Sequence, residues 1–299
     1  MNSAIKETLT KRAAHLVNLP AMPKILTTLN EALSVGASKV DVESIVRTIS
    51  HDKSLAAQCL RTANSALYRQ RSDVETIREA VLSLGLWRIR DLAFSCNLPL
   101  MFSSLDCVVP KEVFWRHSLA TVYVAQKLGT EFHNTANEQI YLAGLLHDIG
   151  LLINALLFPE DFKEILEEAM RTKSPVLPIE QRVLGFTHAE SGRILADVWR
   201  LPAEVGDVIE FHHAVDAQTG NNEVTRIVDF ANQQCWKFGL SYGYSLSGSA
   251  SSKDDDEVLN FCMKIGNTND VKPNLRLEAH MVAARELADQ VFGLSPVRN

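Results

Sequence analysis

Seven residues in the second half of the chain have side chains that bind metal ions: His117, His147, Asp148, His188, His212, His213 and Asp229. Five of the nine histidines of the chain belong to this set. Imidazole and carboxylate ligands together suit divalent zinc, iron, manganese or nickel, and an adjacent pair such as His147-Asp148 could bridge two ions. These residue types predict a site for one or two divalent ions.

The segment before this pair, Leu142-Ala-Gly-Leu-Leu146, is apolar and predicts that His147 and Asp148 are buried. A buried carboxylate is costly unless a cation or several donors surround it, so Asp148 needs a partner. A metal ion would be one. In the alternative, histidines donate hydrogen bonds to Asp148 in a metal-free polar core, and a single buried histidine is more often of that kind.

The elements that must position these residues are helices. Apolar residues recur at helical spacing almost throughout, as in the stretch 42–49, and no alternating strand pattern is found. Thr76 with Glu79 and Thr135 with Glu138 have the spacing of a capping box at a helix start. The sequence predicts an all-α fold in which each candidate ligand is carried by a helix.

A break in the helical pattern at 102–111 indicates a joint between two parts of the chain. We expect an amino-terminal helical subdomain at 1–105 and a second helical subdomain at 106–299. Within the second, the Ser-, Gly- and Asp-rich stretch 241–257 predicts a mobile loop, because it cannot bury an apolar face. A carboxy-terminal helix is expected at 275–292.

Composition argues against several classes of protein. The 36 acidic and 30 basic residues give a net charge of -6 without a stripe of Lys or Arg, which argues against non-specific nucleic-acid binding. The apolar stretch Ile140–Phe158 contains His147, Asp148 and Asn154, so we interpret it as buried helix and expect no membrane contact. The 5 scattered cysteines lack a CxxC pair and predict reduced thiols in a cytoplasmic protein.

Two polar segments of the first half are interpreted as structural. Asn64 and Ser65 follow an apolar helix face, and both residue types are common at helix ends. Arg88 and Arg90 lie on either side of an isoleucine and are expected on a solvated helix face.

The octet Ala143-Gly-Leu-Leu-His-Asp-Ile-Gly150 resembles the signature of the HD superfamily of metal-dependent phosphohydrolases. Further segments narrow the resemblance to the HDOD subgroup and extend it over roughly Leu19–Phe238. They are Leu19-Pro-Ala-Met-Pro23, Leu60-Arg-Thr-Ala-Asn-Ser-Ala-Leu-Tyr68, Ile77-Arg-Glu-Ala-Val-Leu-Ser-Leu-Gly85, Trp115-Arg-His-Ser118 and Leu195-Ala-Asp-Val-Trp-Arg-Leu-Pro202.

The resemblance implies an HD-superfamily-like helical bundle with an additional amino-terminal helical subdomain. It also implies a role in bacterial signal transduction, with signalling proteins as partners. Many HDOD proteins have lost metal ligands. By resemblance to the related HD-GYP phosphodiesterases, however, the seven residues above follow the order and rough spacing of that group's ligands, which implies a bound divalent metal.

Two departures separate this chain from the HD-GYP enzymes. In the HD-GYP enzymes a Lys directly follows the His-Asp-x-Gly run, whereas this chain has Leu151 at that position. Their Gly-Tyr-Pro loop is also absent, since the chain reads His213-Ala-Val-Asp-Ala-Gln-Thr-Gly220 after the histidine pair. The cation that would help to neutralise a phosphoryl group is therefore missing from the motif.

Three hypotheses remain open on the sequence. The first is a regulatory protein that acts through protein contacts with a metal bound. The second is a metal-dependent phosphohydrolase or cyclic dinucleotide phosphodiesterase that takes a phosphate-containing small molecule; in it Asp148 bridges the ions and His213 stands behind the ligands or at a third site. The third is a metal-free, hydrogen-bonded polar core.

Overall fold

The computed structural model describes residues 22–34, 41–65, 73–103, 107–133, 138–219, 223–242 and 273–292. Within these ranges every regular element is a helix, which confirms the prediction of an all-α fold. The chain divides into two compact units, one at Leu19–Ser104 and one that contains Leu105–Asn299. The sequence places its boundary between residues 105 and 106.

The amino-terminal unit is built around one long helix. Its helices are α1 (Lys24–Ser34), α2 (Val42–His51), α3 (Lys53–Ala63) and α4 (Ile77–Ser103). Helices α1, α2 and α3 each pack against α4. A kink interrupts α4 at Gly85, whose φ of 75° lies in the left-handed region that glycine adopts at little cost.

Two of the predicted helix-end features are found in this unit. Glu79 accepts from the Thr76 backbone N–H, and the Glu79 N–H donates to the Thr76 hydroxyl, so the capping box at the start of α4 is confirmed. Asn64 ends α3, and its side-chain amide donates to and accepts from the backbone of Val74. The second predicted capping box, at Thr135, lies outside the described residues.

The prediction of a solvated Arg90 is wrong. Arg90 is fully buried, and its guanidinium donates to the Asp91 carboxylate from Nε at 3.2 Å and from Nη2 at 2.8 Å. Its guanidinium also lies over the Trp87 ring, 4.6 Å from the ring centre. A flanking isoleucine in the sequence does not distinguish a solvated arginine from one that is buried with a carboxylate partner.

The carboxy-terminal unit is a larger helical bundle. Its helices are α5 (Lys111–His133), α6 (Glu138–Leu146), α7 (Ile149–Leu157), α8 (Pro159–Thr172), α9 (Val176–Val183), α10 (His188–Val198), α11 (Ala203–Phe211), α12 (Glu223–Lys237) and α13 (Pro273–Phe292), with a 3-10 turn at Val215–Ala217. Helix α5 packs against α6, α12 and α13, and helix α10 packs against α7 and α11. These two groups of helices meet where α11 and α12 pack on α6.

The first described residues of the predicted loop at 241–257 are not all exposed. Tyr242 is buried, so the chain is still part of the core at that residue. The remainder of the predicted loop, 243–257, lies outside the described residues. Helix α13 covers the expected carboxy-terminal helix and begins at Pro273.

The stretch Gln139–Leu157 is long and apolar enough to cross a membrane by length and composition. It comprises α6 and α7, which are separated by His147 and Asp148. Most of its side chains are buried inside the protein, as in the core helix of a globular domain. Its composition therefore has an explanation within the fold.

Candidate metal centre

His147 and Asp148 lie at the junction between two helices. His147 follows the last residue of α6, and Asp148 is the residue that caps the amino terminus of α7. The Asp148 side chain makes no capping hydrogen bond, so its carboxylate turns into the protein instead of towards the helix end. Both side chains are completely buried, as the apolar approach from Leu142 predicts.

Four further histidines reach this carboxylate from other helices. His117 projects from α5, His188 is the first residue of α10, and His212 and His213 directly follow α11. A capping box in which Thr187 and Glu190 exchange hydrogen bonds fixes the start of α10. The helix ends therefore determine where His188 and His212 stand.

The two oxygens of Asp148 face different histidines. Oδ1 lies 3.0 Å from His212 Nε2 and 3.5 Å from His188 Nε2. Oδ2 lies 3.0 Å from His147 Nε2 and 3.8 Å from His117 Nε2. Asp148 is thus the common member of two groups of potential ligands.

The Nδ1 atoms of four histidines are held by groups that only accept hydrogen bonds. Nδ1 of His147 donates to the carbonyl of Gly144 at 2.8 Å, and Nδ1 of His212 donates to that of Ile209 at 2.9 Å. His117 Nδ1 donates to the carbonyl of Leu240. His188 Nδ1 donates to the carboxylate of Glu180 at 2.7 Å. In the neutral imidazole, the proton on Nδ1 leaves the lone pair on Nε2.

In their neutral form these histidines therefore point Nε2 lone pairs at a carboxylate, which also only accepts. Among the described residues, the fully buried Nε2 of His147 has no hydrogen-bond partner, although it stands 3.0 Å from Asp148 Oδ2. Two acceptors at this distance repel each other unless a proton or a metal ion lies between them. Imidazoles whose Nδ1 protons are held by backbone carbonyls or carboxylates are the usual ligands of divalent metals, so these residues fit such an ion.

Burial and charge set the protonation of the cluster. Burial lowers the pKa of His117 to about 4 and also lowers the pKa of His212. Repulsion by neighbouring imidazoles lowers both pKa values further. Burial alone would also lower the pKa of His188, but the carboxylates of Glu180 and Asp148 outweigh it and raise this pKa to about 10. Burial would raise the pKa of Asp148, yet the surrounding imidazoles hold it well below its usual range.

His213 is the accessible edge of the cluster. Its Nε2 lies 3.1 Å from His188 Nε2, and its ring centre lies 3.9 Å from that of His212. His213 is half-buried, whereas His117, His147, His188 and His212 are fully buried. Burial lowers the pKa of His213 well below its usual range, so the ring is neutral and offers a lone pair.

Two groups of ligand atoms result, each within 4.8 Å of one another. The first contains Asp148, His188, His212 and His213, and the second contains His117, His147 and Asp148. The structure thus brings together six of the seven residues that the sequence selects.

The seventh, Asp229, belongs to neither group in the described part of the chain. It is half-buried on α12, and its carboxylate accepts a hydrogen bond from Gln233 Nε2 at 2.9 Å. Asn232, three residues further along the same helix, stands beside the cluster instead, with Oδ1 3.0 Å from His117 Nε2. The amide of Asn232 takes the place that the sequence assigns to a carboxylate.

The sequence did not indicate that Glu180, its partner Asn154, or Tyr242 belongs to the site. Glu180 is fully buried on α9; it accepts from Nδ1 and from the backbone N–H of His188, and Asn154 donates to it at 3.1 Å. Tyr242 donates its hydroxyl proton to Asp148 Oδ2 at 2.9 Å. The signal available for Glu180 was its position eight residues before His188, inside an otherwise apolar helix face.

Two glycines let helices α7 and α10 approach closely enough to assemble the site. A Cβ atom at Gly150 would lie 1.8 Å from the His188 carbonyl oxygen and 2.9 Å from the Gly192 nitrogen. A Cβ atom at Gly192 would meet the Ile209 side chain at 2.7 Å. The last glycine of the HD-like octet is therefore required by the contact between the two backbones.

A salt-bridge network on the outer face joins α10 to α11. Arg193 on α10 donates to Asp207 at 2.8 Å and to Glu210 at 2.9 Å, both on α11. It also pairs with Asp197 on its own helix at 3.0 Å. This network holds His188 and the His212-His213 pair in register.

Comparisons with known proteins bear on the whole fold. The chain is similar to an HDOD domain protein of unknown function from Geobacter sulfurreducens, with a TM-score of 0.77, 24% identity and coverage of 95% of this chain and 98% of the other. It is similar to a candidate signal transduction protein from Marinobacter aquaeolei VT8, with a TM-score of 0.72, 20% identity and coverage of 98% and 66%. A candidate phosphohydrolase from Shewanella amazonensis SB2B matches with a TM-score of 0.67, 22% identity and coverage of 95% and 96%. At these identities the likeness shows the fold.

Sequence comparison adds one relative and a family. An uncharacterized protein of Treponema pallidum (strain Nichols) is 28% identical over 217 residues, which are 71% of this chain and 42% of the relative. The chain thus spans less than half of that relative's length. The family model of the HDOD domain matches residues 19–215, about two thirds of the chain. The chain belongs to the HDOD domain family.

Proposed function

We propose that this chain is a cytoplasmic regulatory protein of a signalling system, which holds a divalent metal ion and acts through contacts with partner proteins. One observation carries the proposal: four buried histidines direct their Nε2 atoms at one buried carboxylate, and Tyr242 covers that carboxylate. A site whose ligands are buried in this way is typical of a structural ion, because a catalytic ion keeps an open position.

The residues at the centre define what an ion would do there. Asp148, His188, His212 and His213 would hold an ion on one side of the carboxylate, and His117 and His147 would hold one on the other. When bound, a divalent ion would supply the positive charge that Asp148 lacks. The histidines would then tie helices α5, α7, α10 and α11 into one body whose surface is presented to a partner.

The residue after the His-Asp-x-Gly run supports a regulatory role over a catalytic one. Leu151 is fully buried on α7 and offers no charge to a phosphoryl group. The fold is shared with a candidate signal transduction protein, which supports a signalling context.

A metal-dependent phosphohydrolase, acting on a phosphate-containing small molecule such as a cyclic dinucleotide, is the second candidate. It is favoured by the bridging position of Asp148, whose two oxygens face two groups of imidazoles, and by the accessible edge at His213. If these residues held two ions, the ions would supply Lewis acidity towards phosphoryl oxygens. The fold is also shared with a candidate phosphohydrolase.

The experiment that separates these functions begins with protein purified without a polyhistidine tag and analysed for bound metal. The protein is then supplied with manganese, iron, nickel or zinc and assayed on cyclic dinucleotides, nucleotides and an aryl phosphate, beside an Asp148→Asn control. We expect bound metal and no hydrolysis above the control. Hydrolysis that depends on Asp148 would overturn the regulatory proposal, and a metal-free protein that cannot be loaded would overturn the metal site.

A further inference from the structure

We infer that ions bind with unequal affinity on the two sides of Asp148. The first ion binds tightly beside Oδ1, and Asn232 and Tyr242 lower the affinity for a second ion beside Oδ2. This inference rests on the proposed metal binding and specifies which residues decide the number of ions. It concerns Asn232 and Tyr242, to which the sequence analysis gives no role.

The Oδ1 side has a complete set of ligands. His188 and His212 face this oxygen, and His213 lies beside His188. The ligand atoms of Asp148 and these three histidines all lie within 4.8 Å of one another. Three nitrogens and one oxygen make up the four-coordinate set that zinc adopts with imidazole and carboxylate ligands. Glu180 fixes the orientation of His188 through two hydrogen bonds to Oε2, at 2.7 Å and 3.0 Å.

The Oδ2 side has fewer free ligands. Only His117 and His147 join the shared carboxylate there. Oδ2 already accepts a hydrogen bond from the Tyr242 hydroxyl at 2.9 Å. His117 Nε2 faces the Asn232 amide at 3.0 Å, and this amide can place Nδ2 towards the lone pair by a half-turn about its last bond.

The charges strengthen the difference between the two sides. An ion beside Oδ2 would share the single negative charge of Asp148 with the ion beside Oδ1, and the amide of Asn232 contributes no charge. Tyr242 packs against His117, with ring centres 4.7 Å apart, so the ring holds its hydroxyl oxygen beside Oδ2. His147 Nε2, which has no hydrogen-bond partner among the described residues, still offers one strong ligand for a second, weaker ion.

The test uses the full chain, stripped with a chelator and titrated with Zn²⁺ by calorimetry and with Co²⁺ by visible absorption. We expect one tight equivalent with the intense absorption of four-coordinate cobalt, followed by a second equivalent at least 10-fold weaker. Asn232→Asp should tighten the second equivalent at least 10-fold, and Tyr242→Phe should tighten it by a smaller factor. His213→Ala should weaken the first equivalent, and His147→Ala the second.

The matched controls make the same chemical changes away from Oδ2. Gln233→Glu converts an amide into a carboxylate on the same helix, and Tyr123→Phe removes a hydroxyl from α5; both should leave the two equivalents unchanged. Circular dichroism checks the fold of each variant. If Asn232→Asp does not fold, Tyr242→Phe still tests the inference.

Several results would overturn the inference. Two equal ions in the wild type, an unchanged second equivalent in both Asn232→Asp and Tyr242→Phe, or a first equivalent that depends on His147 and not on His213 would each contradict it while leaving metal binding intact. A chain that binds neither metal would overturn the proposed metal site as well.

Discussion

Two buried aspartates, one in each unit, are stabilised in different ways. Asp91 in the amino-terminal unit receives two hydrogen bonds from the guanidinium of Arg90, which is equally buried. Asp148 in the carboxy-terminal unit faces four imidazole nitrogens and one tyrosine hydroxyl. The first carboxylate has a permanent cation in the same chain, and the second does not.

The two units therefore differ in the source of the positive charge that balances the buried aspartate. The guanidinium of arginine stays charged at every pH that proteins experience, so the pair at Asp91 is independent of solution conditions. An imidazole is neutral or charged according to pH, and as a neutral group it directs a lone pair at Asp148. The charge at Asp148 is therefore balanced by a proton or a metal ion taken from solution.

The largest expected effect breaks the amino-terminal pair. Arg90→Met keeps the apolar stem but removes the buried guanidinium from Asp91 and leaves the half-buried Arg88, 3.9 Å away, as a cation beside it. This should lower the free energy of unfolding by about 3–5 kcal/mol. Urea unfolding with and without a chelator measures this loss, which should be the same in both. Arg47→Met, at a side chain that is 69% exposed and pairs with Asp41, is the control and should cost under about 1 kcal/mol. A loss at Arg90 that depends on metal would contradict the comparison.

The second expected effect removes the carboxylate at the metal centre. Metal at 100 times its dissociation constant should raise the wild-type free energy of unfolding by about 2.7 kcal/mol, and it should leave Asp148→Asn unchanged. Thermal unfolding with and without Zn²⁺ measures the difference. Asp229→Asn is the matched control on α12 and should respond to metal as the wild type does. An equal response in Asp148→Asn would rule out Asp148 as a ligand.

A smaller effect is expected from the residue that orients His188. Glu180→Gln retains an acceptor for Nδ1 but loses the charge, which should weaken metal binding about 10- to 100-fold. Calorimetric titration with Zn²⁺ gives the dissociation constant. Glu168→Gln, at a partly exposed carboxylate on α8 that pairs with Arg182, should leave it unchanged. A Glu180→Gln affinity equal to the control would mean that Glu180 serves only the fold.

The most gradual effect is the pH dependence of the metal-free protein, which is spread over several pH units. The pKa of His188 is raised to about 10, so its contribution is complete below the unfolded pKa near 6.5 and is lost as pH rises towards 10. The pKa of His117 is lowered to about 4, so stability is lost as pH falls from about 6.5 towards 4. Each histidine contributes a slope of up to about 1.4 kcal/mol per pH unit.

Urea unfolding at several pH values should therefore give a stability maximum near pH 6.5 in the presence of a chelator, because both losses begin there. Asp148→Asn should flatten the alkaline side, since it removes one of the two carboxylates that raise the pKa of His188. A wild-type protein whose stability rises steadily from pH 6.5 to 9 would contradict the assigned protonation.

The sequence predicts the site well where residue type alone identifies a ligand. Histidine is rare enough in the chain that His117, His188 and His212 could be selected by type and by resemblance, and the structure brings them to Asp148. Asp229 was selected for the same reason, yet it lies three residues before Asn232 on α12. Helix packing decides which of the two residues faces His117, and residue type does not.

Other parts of the site depend on contacts that no local pattern reveals. Glu180 is a buried charge whose partner is eight residues away, and charged residues are usually exposed. Tyr242 begins a Ser- and Gly-rich stretch, so composition indicated a loop, although its ring packs on Phe114 and His117. The amino-terminal unit shows the same limit at Arg90, which needs Asp91 and Trp87 to be explained.

The contact between Gly150 and the start of α10 also has a consequence for the kind of ion that the chain accepts. Because the two backbones lie so close that a Cβ atom at Gly150 would clash with the His188 carbonyl, this contact fixes the spacing between the backbone positions of Asp148 and His188. The imidazole ligands carried at these positions suit ions with short bonds to nitrogen and discriminate against calcium, which requires longer bonds and more oxygen atoms. Two glycines thus set how closely the helices that carry these ligands approach each other.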